Sequence, residues 1–280
     1  MRVRVGDVHL WFDVEGSGLV VDGAVMRERP TLLLLHGGPG FDHSLFKPDY
    51  GVLADVAQVV YLDHRGHGRS DQGDPVDWRL EVWADDVRAF CDALGIERPI
   101  VFGWSFGGMV AMAYAARHPD HPAKLILQST MGRLEVGRIV EDFRRAGGDE
   151  AAEAAQGYWS LDRDLDAMAA YATTCLPLYG SGSSDPNRLS RGELNLELLM
   201  DPVRVLHDMD LLPGLAAVRC PTLVIAGEED PLCGVTPMQD VVDALPADLV
   251  RFEQLPNSGH YVSRDESERF FTLVRDFVAG

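Results

Sequence analysis

Lysine is almost missing from this chain. Only Lys47 and Lys124 occur in 280 residues, so nearly all its basic charge is arginine, a usage that reads as a GC-rich bacterial coding bias. Basic residues are few altogether: Lys plus Arg is 25 against 44 Asp plus Glu, a formal net charge of −19. A nucleic-acid binder needs basic surface to displace counterions from phosphates, and docking on anionic lipid needs the same, so neither a nucleic-acid nor a membrane partner is expected. Cysteine is scarce too. Cys91, Cys175, Cys220 and Cys233 form no C-x-x-C pair. Cys91 and Cys220 sit in apolar patterns and read as small buried thiols in a reducing, cytoplasmic setting. No apolar run approaches the ~18 residues of a membrane span. The opening MRVRVGDVHLWF alternates like a strand and shows no secretory h-region.

With 46% hydrophobic and 25% charged residues the composition is that of an ordinary globular protein. The length fits one large α/β domain carrying an insertion. Arg2–Val5 and Val8–Val14 alternate around Gly6-Asp7 as a hairpin, and a polar stretch holding Gly16, Gly18 and Gly23 follows. Short apolar runs then alternate with helical patterns. Thr31–Leu35, Val59–Leu62, Ile100–Phe102 and Leu125–Leu127 read as buried strands. Trp83, Val87, Phe90, Cys91 and Leu94 mark one face of a helix, stopped by Gly95 as a C-cap. A second helix covers Gly107–Arg117. The rhythm breaks at about Met131 and resumes with Thr222–Ala226, a helix near Met238–Leu245, the strand Leu249–Phe252 and a last helix carrying Phe270, Phe271, Val274 and Phe277. Alternating strands and helices imply a mostly parallel sheet with helices on both faces. The expected division is a core of residues 1–130 and 213–280 with a helical cap insertion, 131–212, over the carboxyl ends of the strands, where open α/β sheets bind ligands. The one loop-like cluster of small polar residues is 180–187.

Gly103-Trp104-Ser105-Phe106-Gly107 matches G-x-S-x-G, and it lies between a strand and a helix as that turn requires. The small neighbours permit a sharp turn that lifts the serine hydroxyl above the sheet. A plain Gly-rich turn is the ordinary alternative; a phosphate cradle lacks its Lys-Ser/Thr. His36-Gly37-Gly38-Pro39-Gly40, at the end of another strand, is the more specific signal. Glycines there leave backbone N–H groups unobstructed, and paired donors stabilise a developing oxyanion. The expected pair is Gly38 N–H with Phe106 N–H. His36 reads as a tie for the loop.

A serine nucleophile needs a base, and the base an orienting acid, in the chain order Ser, acid, His. Asp230 follows the strand TLVIA and His260 follows the strand ending at Phe252, which brings both to the sheet edge of Ser105. Glu228 and Glu229 compete with Asp230. His9, His118, His121 and His207 lie in the hairpin, a turn and the insertion. His64 and His67 could suggest a metal pair, but no carboxylate or cysteine cluster supports it, and a structural turn is expected. Trp104 is a candidate pocket wall beside Ser105.

The set HGGPG, DHRGHGRS (63–70), GWSFGG, GEEDP and SGH resembles the α/β-hydrolase superfamily over the whole chain apart from the insertion. Within it, HGGPG with Asp63–Ser70 resembles the proline iminopeptidase group. The resemblance implies an α/β-hydrolase fold with a helical cap, a Ser105–Asp230–His260 triad, no cofactor, no metal, and acidic side chains that hold a substrate's α-amino group. Glu193 and Glu197 are the candidates for that last role, since the group's A-R-x-E-x-H-Y cap segment is absent. A serine hydrolase removing N-terminal proline from small peptides is thus expected, with a carboxylesterase or lactonase acting on small esters as the alternative; a non-catalytic receptor would have lost a triad member. The substrate is a small molecule or short peptide, and the oligomeric state is open.

Overall fold

The computed structural model describes residues 1–180, 185, 187–200 and 202–280. Most of the polar cluster read at 180–187, namely 181–184 and 186, lies outside the described residues.

Among the described residues, ten strands form two sheets. The main sheet has eight strands in the order β1(Arg2–Val5), β2(Val8–Glu15), β6(Gln58–Leu62), β5(Thr31–Leu35), β7(Ile100–Trp104), β8(Lys124–Gln128), β9(Thr222–Gly227) and β10(Val250–Leu255). β1 and β2 run antiparallel, as do β2 and β6; from β6 to β10 every pairing is parallel. The second sheet is a hairpin of β3(Leu19–Asp22) and β4(Val25–Glu28), where the sequence suggests only a polar stretch. Its side chains at Leu19, Val21, Val25 and Met26 are exposed, so they carry no inward-facing pattern to read.

Strand β5 explains the continuous apolar runs. Leu33 and Leu35 enter one core, Leu32 and Leu34 the other. Successive side chains point to opposite faces, and a parallel sheet covered on both faces buries both sets. Helices α1(Leu80–Leu94), α2(Phe106–Arg117) and α7(Val235–Ala244) contribute to the first core. The second is closed by α9(Ser267–Ala279) through Phe270, Phe271, Val274 and Val278. Helix α1 ends as its sequence requires: Gly95 takes the left-handed conformation (φ 69°) and returns its N–H to the Cys91 and Asp92 carbonyls.

Between β8 and β9 the described elements are helical: α3(Val136–Tyr158), interrupted at Gly148, α4(Leu165–Thr174), α5(Leu196–Met200), α6(Pro202–Leu206) and short 3-10 turns. A short helix, α8(Val262–Asp265), follows β10. No helix among the described residues is long and apolar enough to cross a membrane.

Candidate active site

The parallel strands β5, β7, β9 and β10 end on one edge, and each carries a piece of the site just beyond its last residue. Ser105 joins β7 to α2 with φ 54° and ψ −120°, a left-handed conformation that costs a non-glycine residue of order 1–3 kcal/mol. The surroundings enforce it. A Cβ at Gly103 would overlap the Gly107 carbonyl, and one at Gly107 would overlap the Leu35 carbonyl of β5, so both glycines of G-x-S-x-G are demanded by close backbone approach. Ser105 N–H donates to the Gln128 carbonyl at 3.0 Å, and Thr130 Oγ1 donates to the Ser105 carbonyl at 2.7 Å.

Asp230 and His260 meet. The ring Nδ1 stands 2.8 Å from Asp230 Oδ2, while Asp230 Oδ1 accepts the N–H groups of Leu232 at 2.9 Å and Cys233 at 3.0 Å. Both residues are buried, whereas Glu228 and Glu229 are exposed, which separates Asp230 from its two sequence competitors. The His260 N–H donates to the Tyr179 carbonyl at 2.5 Å, and its carbonyl accepts Trp104 Nε1–H at 3.3 Å. Ser105 and His260 line the same cavity. Among the described residues no hydrogen bond joins Ser105 Oγ to the ring; in proteins of this chemistry that bond is often long until substrate is bound.

The loop after β5 approaches the serine closely. A Cβ at Gly37 would stand 3.3 Å from Trp104 Cε3 and 3.5 Å from Ser105 Cβ, in contact with the serine turn. Neither Gly38 N–H nor Phe106 N–H, the first amide of α2, donates a hydrogen bond among the described residues. Gly38 lines the same cavity as Ser105, and the Phe106 N–H follows the serine in the chain. His36 anchors this loop as a neutral ring: Nδ1 lies 2.9 Å from the Gly37 carbonyl, and Nε2 accepts His64 N–H at 3.4 Å.

Asp63–Ser70 is scaffold. Asp63 accepts from His43 N–H, the His43 ring and Arg69 N–H. Burial raises its pKa, but those bonds and the imidazole charge outweigh it and hold the carboxyl below its usual range. Arg65 pairs with Asp86 of α1. His64 and His67 pack against His36 and the Phe106 ring, so the Phe106 side chain is a packing group. All four cysteines are free and buried.

The cavity measures about 540 Å³. Its wall is largely apolar, with the rings of Phe41, Trp104, Trp159, Tyr171, Tyr179 and Tyr261 among aliphatic side chains, and it includes Arg188 and Arg264. Trp104 therefore stands where the sequence suggests. Glu193 and Glu197 do not: neither lines the cavity. Glu193 pairs with Arg69 at 3.2 Å and Glu197 with Arg204 at 3.6 Å, both on exposed side chains. Between them Asn195 docks on the Asp63–Ser70 loop, its Nδ2 donating to the Gly66 carbonyl at 2.7 Å. Asp185 is the one carboxylate on the wall among the described residues, and it is engaged by Arg191. Sequence reasoning does not single out Tyr179, Arg188 or Arg264; the only signal is that Arg264 follows His260 by four positions.

A strained serine and a carboxylate-bound imidazole on one cavity, at the edge of a mostly parallel eight-stranded sheet, are the arrangement of a hydrolase of the α/β class. Residues 30–266 match the family model described as alpha/beta hydrolase fold, and the chain belongs to that family. It is 29% identical over 282 residues to a proline iminopeptidase of Lactiplantibacillus plantarum, an alignment covering 92% of this chain and 95% of the relative. Among solved structures it resembles a proline iminopeptidase of Mycobacterium smegmatis, with TM-score 0.77, 25% identity, and 99% and 97% of the two chains covered. It also resembles a thermophilic esterase of Thermogutta terrifontis solved with malate bound, with TM-score 0.71, 25% identity, and 99% and 98% covered.

Proposed function

We propose that the protein is a serine hydrolase that works by acyl transfer on small oxygen esters or lactones. His260 Nε2 takes the proton of Ser105 Oγ as that oxygen bonds to the substrate carbonyl carbon. The Gly38 and Phe106 N–H groups receive the oxyanion. The imidazolium returns its proton to the leaving alkoxide, and the acyl group stays on Ser105. Water, deprotonated by the same ring, then releases the acid. Asp230 fixes the tautomer and stabilises the imidazolium. The helical segment 131–212 acts as a cap that supplies most of the apolar wall and excludes water.

The observation that carries the reading is that Ser105, His260 and Gly38 line one cavity, with the free Phe106 N–H next to the serine in the chain. Its wall favours esters over N-terminal peptides. An α-ammonium group needs a carboxylate partner when desolvated, and Asp185 is already bound while Arg188 and Arg264 repel a cation. Proline iminopeptidase activity is the second reading, supported by the 29% identity to the lactobacillal enzyme.

The test has two parts. A fluorophosphonate should label the wild type once and leave Ser105→Ala unlabelled, and Ser105→Ala should lose several orders of magnitude in rate. Turnover of 4-nitrophenyl butyrate should exceed that of proline 4-nitroanilide at least a hundredfold. Faster cleavage of the anilide would transfer the conclusion to the peptidase reading, and an unlabelled wild type would overturn both.

A further inference from the structure

Two guanidinium groups enter the cavity wall from different parts of the chain. Arg188 comes from the segment between α4 and α5, and Arg264 from α8. Both reach the same carboxylate: Asp49 Oδ2 lies 2.9 Å from Arg188 Nη2 and 3.4 Å from Arg264 Nε. Asp49 is the sole ion-pair partner of Arg264 among the described residues. Both guanidinium groups thus draw on Asp49. The remaining bond of Arg264 is from Nη2 to the Leu45 carbonyl at 3.2 Å, and its Nη1 makes none among the described residues. The side chain is only 12% exposed. Its guanidinium lies over the Tyr261 ring, 4.6 Å from the centroid, and 6.0 Å from the centroid of Trp104. Trp104 immediately precedes Ser105, so the cation stands one aromatic ring away from the serine turn. Burial, and then the charge of Arg188, lower the Arg264 pKa, as expected of a cation short of counter-charge.

We propose that Arg264, backed by Arg188, is an anion anchor, and that the substrate is an ester or lactone bearing a second, free carboxylate. The inference deepens the ester reading above and rests on it for turnover, though not for binding. A guanidinium fork donates two parallel hydrogen bonds to a carboxylate, and a site built to pair a polar group discriminates strongly against an analogue that lacks it. The aromatic wall would hold the methylene chain between the two ends. A neutral ester of the same length would add no anion to the one Arg264 already pairs with, Asp49.

Monomethyl adipate and methyl hexanoate form a matched pair, because a carboxylate replaces a terminal methyl. With ester hydrolysis followed by pH-stat, the wild type should show a kcat/KM at least tenfold higher for the adipate monoester, carried in KM and weakened by salt. Arg264→Met should reduce that acid-to-neutral ratio at least tenfold, and Arg264→Lys should restore part of it. A wild type that prefers the neutral ester, or a ratio unmoved in Arg264→Met, would overturn the proposal; the wild-type comparison stands even if the variant misfolds. Calorimetric titration of the wild type with adipate separates the two readings. Adipate binding without hydrolysis of either ester would sink the ester reading and keep the anchor. Hydrolysis of both esters at equal efficiency with no adipate binding would do the reverse.

Discussion

The backbone of His260 hangs from the carbonyl of Tyr179, 2.5 Å away. The residue before the imidazole must be small for this to happen, since a Cβ at Gly259 would overlap the same carbonyl. The ring of the proposed base is therefore clasped by the helical segment that interrupts the sheet, and the Tyr179 side chain, at 5.0 Å between ring centroids, packs edge-on against it.

Gly259→Ala should force that clasp open. A displacement of about 1 Å at a reacting group can cost on the order of a hundredfold in rate, so kcat should fall ten- to a hundredfold. Tyr179→Phe is the control. It keeps the carbonyl and removes only the hydroxyl that bonds Tyr171 at 2.8 Å, a loss of about 1 kcal/mol in stability and little in kcat. Ester kinetics and thermal melting on both variants check this; a Gly259→Ala protein with full kcat would show that the clasp does not hold the ring.

Much of the frame is legible in the residues because buried parallel strands leave a simple signature. Thr31–Leu35 is read as a strand to the residue, and Trp83, Val87, Phe90 and Cys91 do mark the core face of α1, whereas Leu94, read with them, is exposed at the end of the helix. Ser105, Asp230 and His260 could be brought to one edge because each follows a strand of a parallel sheet. The hairpin β3–β4 escapes the same logic, since its apolar side chains face solvent. The cavity wall escapes it for another reason. Tyr179, Arg188 and Arg264 are assembled by tertiary packing across β10 and the inserted helices, which no local period encodes. Glu193 and Glu197 illustrate the converse: their charge is visible in the sequence, but the arginines that claim them are distant in it.

Acid should destabilise the fold before ordinary carboxylates titrate. His36, His64 and His67 are buried together, and burial, followed for His64 and His67 by the charge of His36, lowers their pKa values from 6.5, that of His67 to about 3. Nε2 of His64 and of His67 has no hydrogen-bond partner among the described residues. Below pH 6.5 the unfolded chain binds protons that the folded chain refuses, so stability is complete above that pH and falls as pH drops toward 3. His67 contributes about 1.4 kcal/mol per pH unit within that window, and His36 and His64 add to the loss in the same direction. Urea midpoints at pH 7, 6, 5 and 4 should decline accordingly, and His67→Asn should flatten the slope by about one proton. A midpoint independent of pH from 6.5 to 4.5 would show that these rings are charged in the folded state.

The Arg65–Asp86 pair joins the loop after β6 to helix α1 through two bonds, 2.8 and 2.9 Å long. Both side chains are buried, and burial raises the Asp86 pKa despite its partner. A buried pair of this kind adds little over an apolar replacement, yet removing one member is severe, because the other charge stays behind. Arg65→Met should therefore cost about 3–5 kcal/mol, and Arg65→Met with Asp86→Leu should recover at least half of that. Urea unfolding of the two variants measures the difference. The contrast discriminates between two roles for the Asp63–Ser70 motif. If Arg65 serves only to neutralise Asp86, the double variant regains stability and, with Ser105 and His260 undisturbed, its ester turnover. If the guanidinium itself shapes the loop, through its further bond to Asp7 at 3.0 Å, stability stays low in the double variant and the motif is held by that contact.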